Sequence, residues 1–149
     1  MKLIIQPEAY RTMSEHAEND FPDECCGFMY GHETDEARTI MIAVPVINTK
    51  EGDKKRRFEI SGIDYMRAEQ YALKNNIDLL GVYHSHPQHP AIASEHDLKQ
   101  AVPFFSYVIL SVMEGTTADI KSWKLNEENT QFIEEEIAHV HLKSKIQNS

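Results

Sequence analysis

The apolar positions of this chain change rhythm several times, and each change marks an element. "KLIIQ" is a short apolar run that predicts a strand. Pro7 suits the first turn of a helix, and Tyr10, Met13 and Ala17 recur at helical spacing, which predicts a helix from 7 to about 19. "NDFPDE" is a turn signal, and "CCGFMYG" reads as a buried strand ending at a glycine. "ARTIMIAVPVIN", apolar and β-branched, predicts a second strand. The polar, basic "TKEGDKKRRF" interrupts the pattern as a solvated loop. "SGIDYMRAEQYALKNN" returns to helical spacing, with Ile63, Met66, Tyr71 and Leu73 expected on its apolar side. "IDLLGVYHSH" follows as a strand.

"SEHDLKQAV" opens another helix, with Ser94 at the N-cap and Asp97 three residues on, where an acid suits the helix dipole. "FSYVILSVM" and "DIKSWKL" are strands on either side of the "EGTTA" turn. From about Asn129 the pattern fits strand or helix equally, and a frayed tail is expected from about 141. Strands and helices alternate without a regular βαβ rhythm. The expected fold is therefore α/β, a mixed β-sheet flanked by helices, in a single domain spanning 1–149.

Charge narrows the partners. Fifteen Lys and Arg against twenty-four Asp and Glu give a net charge of -9, which argues against a nucleic-acid binder. No apolar run approaches membrane-spanning length. The only two cysteines, Cys25 and Cys26, are adjacent. Neighbours rarely bridge, so free thiols and a reducing cytoplasm are expected, and a zinc knuckle would need spaced pairs. Both read as small buried hydrophobes.

The candidate chemistry lies in "VYHSHPQHPAIASEHDL", Val82 to Leu98, which holds four of the eight histidines. On a strand, His84 and His86 project to one face and Ser85 to the other. Asp97, eleven residues after His86 and past two prolines, is placed to return as a third ligand. Two readings stay open on spacing alone. One is a divalent metal held by His84, His86 and Asp97. The other is an exposed polar strand end followed by a helix-capping acid. Three N, N and O ligands leave a fourth position for water, the layout of a catalytic zinc rather than a structural one. Such a site also needs a base that is not a ligand. His89, between prolines, and His96 are poorer ligand candidates, and the second H-x-H, His139 and His141, reads as a tail feature.

"HSHPQHPAIASEHD" resembles the H-x-H-P…S-x-x-D signature of the JAMM metalloproteases, also called the MPN+ or Mov34/PAD-1 family. "FPDECCGFMYG" is similar to the P-x-E-x-C-G-x-x-x-G segment of the family's short stand-alone bacterial members. The resemblance runs from the first helix to the strand at Trp123. It implies an MPN fold of cytidine-deaminase-like architecture and one Zn2+ on His84, His86 and Asp97. It further implies Glu24 as general acid/base and Ser94 as the hydroxyl that steadies the oxyanion. It departs at Ala93, where many members carry proline, a change expected to loosen the loop backbone without removing chemistry. The short bacterial members look like zinc peptidases that act at the C-terminal tail of small ubiquitin-like sulfur-carrier proteins. A non-catalytic module binding ubiquitin-like proteins and a zinc hydrolase of a small peptide or amide are the rival classes. Lys50 to Phe58 is the candidate substrate-contacting flap, its basic residues suited to an acidic carrier face or to a released amino acid's carboxylate. The resemblance names neither the carrier nor the oligomeric state.

Overall fold

A computed structural model describes residues 2–140. The elements in chain order are β1 (Lys2–Ile5), α1 (Pro7–Asp20), β2 (Cys26–Glu33), β3 (Ala37–Val46), α2 (Gly62–Lys74), β4 (Asp78–Pro87), α3 (Glu95–Gln100), β5 (Ser106–Met113), β6 (Thr116–Leu125), β7 (Phe132–Glu135) and β8 (Ile137–Val140). The ambiguous stretch after Asn129 resolves as two short strands, and β6 begins earlier than "DIKSWKL", so its turn is tighter than expected. His141 and the tail expected to fray lie outside the described residues. No helix among the described residues is long and apolar enough to cross a membrane.

One eight-stranded mixed sheet runs β7-β6-β5-β4-β2-β3-β1-β8. β2 pairs antiparallel with both β3 and β4, while β4 pairs parallel with β5 across the α3 connection. Each face of the sheet carries its own core. On one face α1 packs Ala9, Met13 and Ala17 against Met29, Ile40, Tyr83 and Leu110. On the other, Phe28, Tyr30, Val82 and Tyr107 meet α2 through Ala68 and Ala72. Alternation sends the adjacent thiols apart, Cys25 into the first core and Cys26 into the second. Both thiols are buried and free, and burial, the largest influence on each, raises their pKa values, that of Cys25 to about 12.

The apolar side expected for α2 is corrected. Ile63, Met66, Tyr71 and Leu73 are exposed, Leu73 at 84%, while the two alanines face the sheet. The alanines bring the helix close to the sheet, and Tyr65 and Tyr71 lay their rings against Phe28 and Tyr30, with centroids 5.2 and 4.8 Å apart. A similar close approach governs Gly27, where any Cβ would run into the Tyr83 ring on the neighbouring strand.

Candidate metal centre and active site

β4 is buried from Leu80 to Pro87 and delivers the histidines at its C-terminal end. Its alternation sends Tyr83 and Ser85 toward α1, and His84 and His86 toward the opposite face. Ser85 is committed to structure: its Oγ accepts from the Cys25 N–H at 2.8 Å, and its own N–H donates to the Cys25 carbonyl at 3.2 Å. These two bonds fasten the segment carrying Glu24 to the strand carrying the histidines.

The chain then passes Pro90 and enters α3 through a capping box. Ser94 Oγ accepts from the Asp97 N–H, and Asp97 Oδ2 accepts from the Ser94 N–H. The reciprocal cap fixes the Asp97 carboxylate against both imidazoles. His84 Nε2 lies 3.3 Å from Asp97 Oδ1, His86 Nε2 lies 3.3 Å from Asp97 Oδ2, and the two Nε2 atoms are 3.3 Å apart. All three residues are buried, and among the described residues this is the His/Cys/Asp/Glu group able to hold a metal ion. His89 and His96 stand outside it.

The donor set fits a divalent cation. His86 Nδ1 lies 2.9 Å from the Pro90 carbonyl, so it carries the ring proton and leaves Nε2 as a bare lone pair facing Asp97. Burial lowers the His84 pKa against the pull of Asp97, which favours a neutral ring. Burial alone would raise the Asp97 carboxyl, but the imidazoles, His84 first, and the Ser94 N–H outweigh it and hold the carboxyl ionised. Two imidazole nitrogens and a carboxylate oxygen converging in a buried setting form a group that could hold a divalent cation. Two ligands at about 2.05 Å from a tetrahedral zinc would stand about 3.3 Å apart, the spacing seen here.

Glu24 is 5% exposed, and its Oε1 has no hydrogen-bond partner. Burial first, then the Asp97 charge, raises its pKa to about 9, opposed by the Arg57 guanidinium. Its backbone is held on both sides: its N–H donates to the Lys54 carbonyl, and its carbonyl accepts from Asn48 Nδ2. A cleft of about 530 Å³ joins Glu24, His86 and Ser94 with Arg56, Arg57 and His96. The five residues singled out in the sequence therefore gather at one place, with His84 and Asp97 beneath the cleft floor.

The segment 50–58, expected as a flap, supplies neighbours whose individual contacts the sequence did not show. Phe58 stacks on the His84 ring with centroids 4.4 Å apart, and Arg57 Nη1 lies 2.7 Å from His96 Nδ1. Asn48 organises the loop that carries both, accepting from the Lys50 and Glu59 amides and donating to the Arg57 carbonyl. The basic composition of the loop was the visible signal, but its destination was not.

The model of the prokaryotic homologues of the JAB domain matches residues 6–126. The chain belongs to this family. Among its relatives is the CysO-cysteine peptidase of Mycobacterium tuberculosis, 29% identical over 126 residues that cover 83% of this chain and 82% of that one. A desampylase of Pyrococcus furiosus is 28% identical, covering 85% and 84%. The solution structure of a Desulfitobacterium hafniense protein superposes with a TM-score of 0.79 at 26% identity, covering 93% of this chain and 92% of that one. A JAB1/MPN domain protein of Archaeoglobus fulgidus shares the fold at a TM-score of 0.53 and 20% identity, covering 92% and 98%.

Proposed function

We propose that this JAB-family protein is a zinc-dependent metallopeptidase that hydrolyses an amide bond at the C-terminal tail of a ubiquitin-like, sulfur-carrier-type protein in the cytoplasm. The observation that carries the reading is Glu24. It is a buried, unpartnered carboxyl that shares a cleft with His86 and stays outside the His84–His86–Asp97 group. A residue with no structural bond to satisfy there, in a protein related to a peptidase and a desampylase, is best explained by proton transfer.

Zinc held by His84, His86 and Asp97 supplies Lewis acidity and lowers the pKa of a coordinated water toward about 7. The chain's own residues handle the proton. Glu24 Oε1 takes it from the attacking water and later delivers it to the departing amine. The pocket pushes this carboxyl up to about 9, and a divalent cation held nearby would favour its ionised form. Ser94 Oγ already accepts the Asp97 N–H, which leaves its hydroxyl hydrogen to donate to the carbonyl oxygen as negative charge gathers there. Within the segment 50–58, Phe58 covers the His84 ring, and Asp53, Arg56 and Arg57 line the cleft that would take the tail.

The test is a ubiquitin-like carrier extended beyond its diglycine end and incubated with purified protein. Cleavage should stop on chelation and return on adding zinc. A metal-loaded, folded protein that leaves every such tail intact would overturn the reading in favour of a binding module.

A further inference from the structure

We propose that Arg57 is the receptor for the free α-carboxylate of a single terminal residue, so that the departing group is one amino acid rather than a lysine within a protein. The inference rests on the peptidase reading above and deepens it.

Arg57 is an exposed cation on the cleft wall of a chain of net charge -9. Among the described residues neither Arg57 nor Arg56 forms an ion pair, although both line the cleft. The Arg57 guanidinium contacts only the uncharged acceptor side of an imidazole, His96 Nδ1 at 2.7 Å. It is also linked to the metal-binding group through its neighbours. Its chain neighbour Phe58 stacks on His84, and its ring partner His96 precedes Asp97. Its charge is felt at Glu24. A guanidinium with fork geometry and no carboxylate of its own suits a carboxylate ligand. In a single-residue leaving group that carboxylate lies one carbon from the departing nitrogen, just outside the reacting bond. A lysine side chain attached through its ε-amine has its carboxyl committed to a peptide bond several atoms away.

The test uses fluorescein-labelled peptides ending Gly-Gly-Ala, one with a free carboxylate and one amidated. With zinc-loaded parent enzyme, kcat/KM is expected to favour the acid by about tenfold or more. Arg57→Gln should abolish that preference by raising KM for the acid, any change in kcat that reaches Glu24 being shared by both peptides, and Arg57→Lys should retain part of it. Lys55→Gln, in the same loop, removes an equal charge and should change neither. A loop merely loosened from His96 would slow both peptides alike and keep the acid preference, which would overturn the assignment. So would a parent enzyme that treats acid and amide equally. Anisotropy with the chelated parent and with Arg57→Gln gives binding without cleavage. An acid preference there that depends on Arg57 upholds this inference even where neither peptide is cut and the peptidase reading falls. Equal binding of acid and amide overturns it.

Discussion

Glu24 and Asp97 are equally hidden from water, each 5% exposed, yet their surroundings drive them to opposite protonation states. Asp97 is met by two imidazoles and the Ser94 N–H, which hold its carboxyl well below the usual range. Glu24 meets none of these; burial and the Asp97 charge raise it to about 9. Burial alone therefore does not determine what a carboxylate becomes. The partners decide between a fixed anion fit to bind a cation and a group poised to trade protons.

Removing the anion should have the largest effect. Asp97→Ala is expected to abolish stoichiometric zinc by elemental analysis and to cost several kcal/mol of transition-state stabilisation, about a thousandfold or more in kcat/KM. A variant that keeps one zinc per chain would remove Asp97 from the ligand set. Glu24→Gln should divide the pair cleanly, with zinc content unchanged and kcat lower by about 10² to 10⁴. Comparable turnover in variant and parent would leave Glu24 without a role. Ser94→Ala touches both, since it removes an oxyanion donor and half of the capping box. The expected loss is about a hundredfold in kcat, with about 1 kcal/mol lost from thermal stability. A loss confined to stability would assign Ser94 to capping alone.

The protonation contrast can be read in metal-free protein. Glu24 titrates at 4.5 as an ordinary carboxyl and at about 9 when folded. Between those values the native state keeps a proton that the unfolded chain releases, so the stability contribution falls as pH rises through that window. Glu24→Gln removes the dependence. Its melting-temperature advantage over the chelated parent should grow from about pH 5 to about pH 9, and parallel curves would refute the buried-acid description. The smallest effect is expected from Ala93→Pro, since no hydrogen bond among those described uses the Ala93 amide. It should add about 0.4–1 kcal/mol by denaturant titration with kcat unchanged.

The two carboxylates also differed in how legible they were. Asp97 stood at a countable distance from an H-x-H pair and three residues after an N-cap serine, so local rules located it. The burial of Glu24 depends on a loop thirty residues later folding back to place Lys54 and Asn48 against its backbone, and no local pattern carries that information. The family resemblance implied a role for Glu24 that no local pattern carries. For the fold, β2 and β4 were readable as short continuous apolar runs, because both faces of the sheet are covered and most positions on them are buried. The orientation of α2 was not, because helical spacing fixes which residues share a face but not which face meets the sheet. Here the alanines face the sheet beside the Tyr65 and Tyr71 rings, while Ile63, Met66 and Leu73 stay exposed.

β4 carries a further consequence. Its odd-numbered Tyr83 and Ser85 serve the interior, and its even-numbered His84 and His86 serve the cleft. A codon gained or lost between Gly81 and Tyr83 would exchange those duties at once, exporting a phenol and a hydroxyl while importing two imidazoles. Substitutions here can be graded in severity, whereas any such frame-preserving indel would be all-or-none. Length variation in this lineage should accordingly be sought in the connecting loops and be absent from this strand.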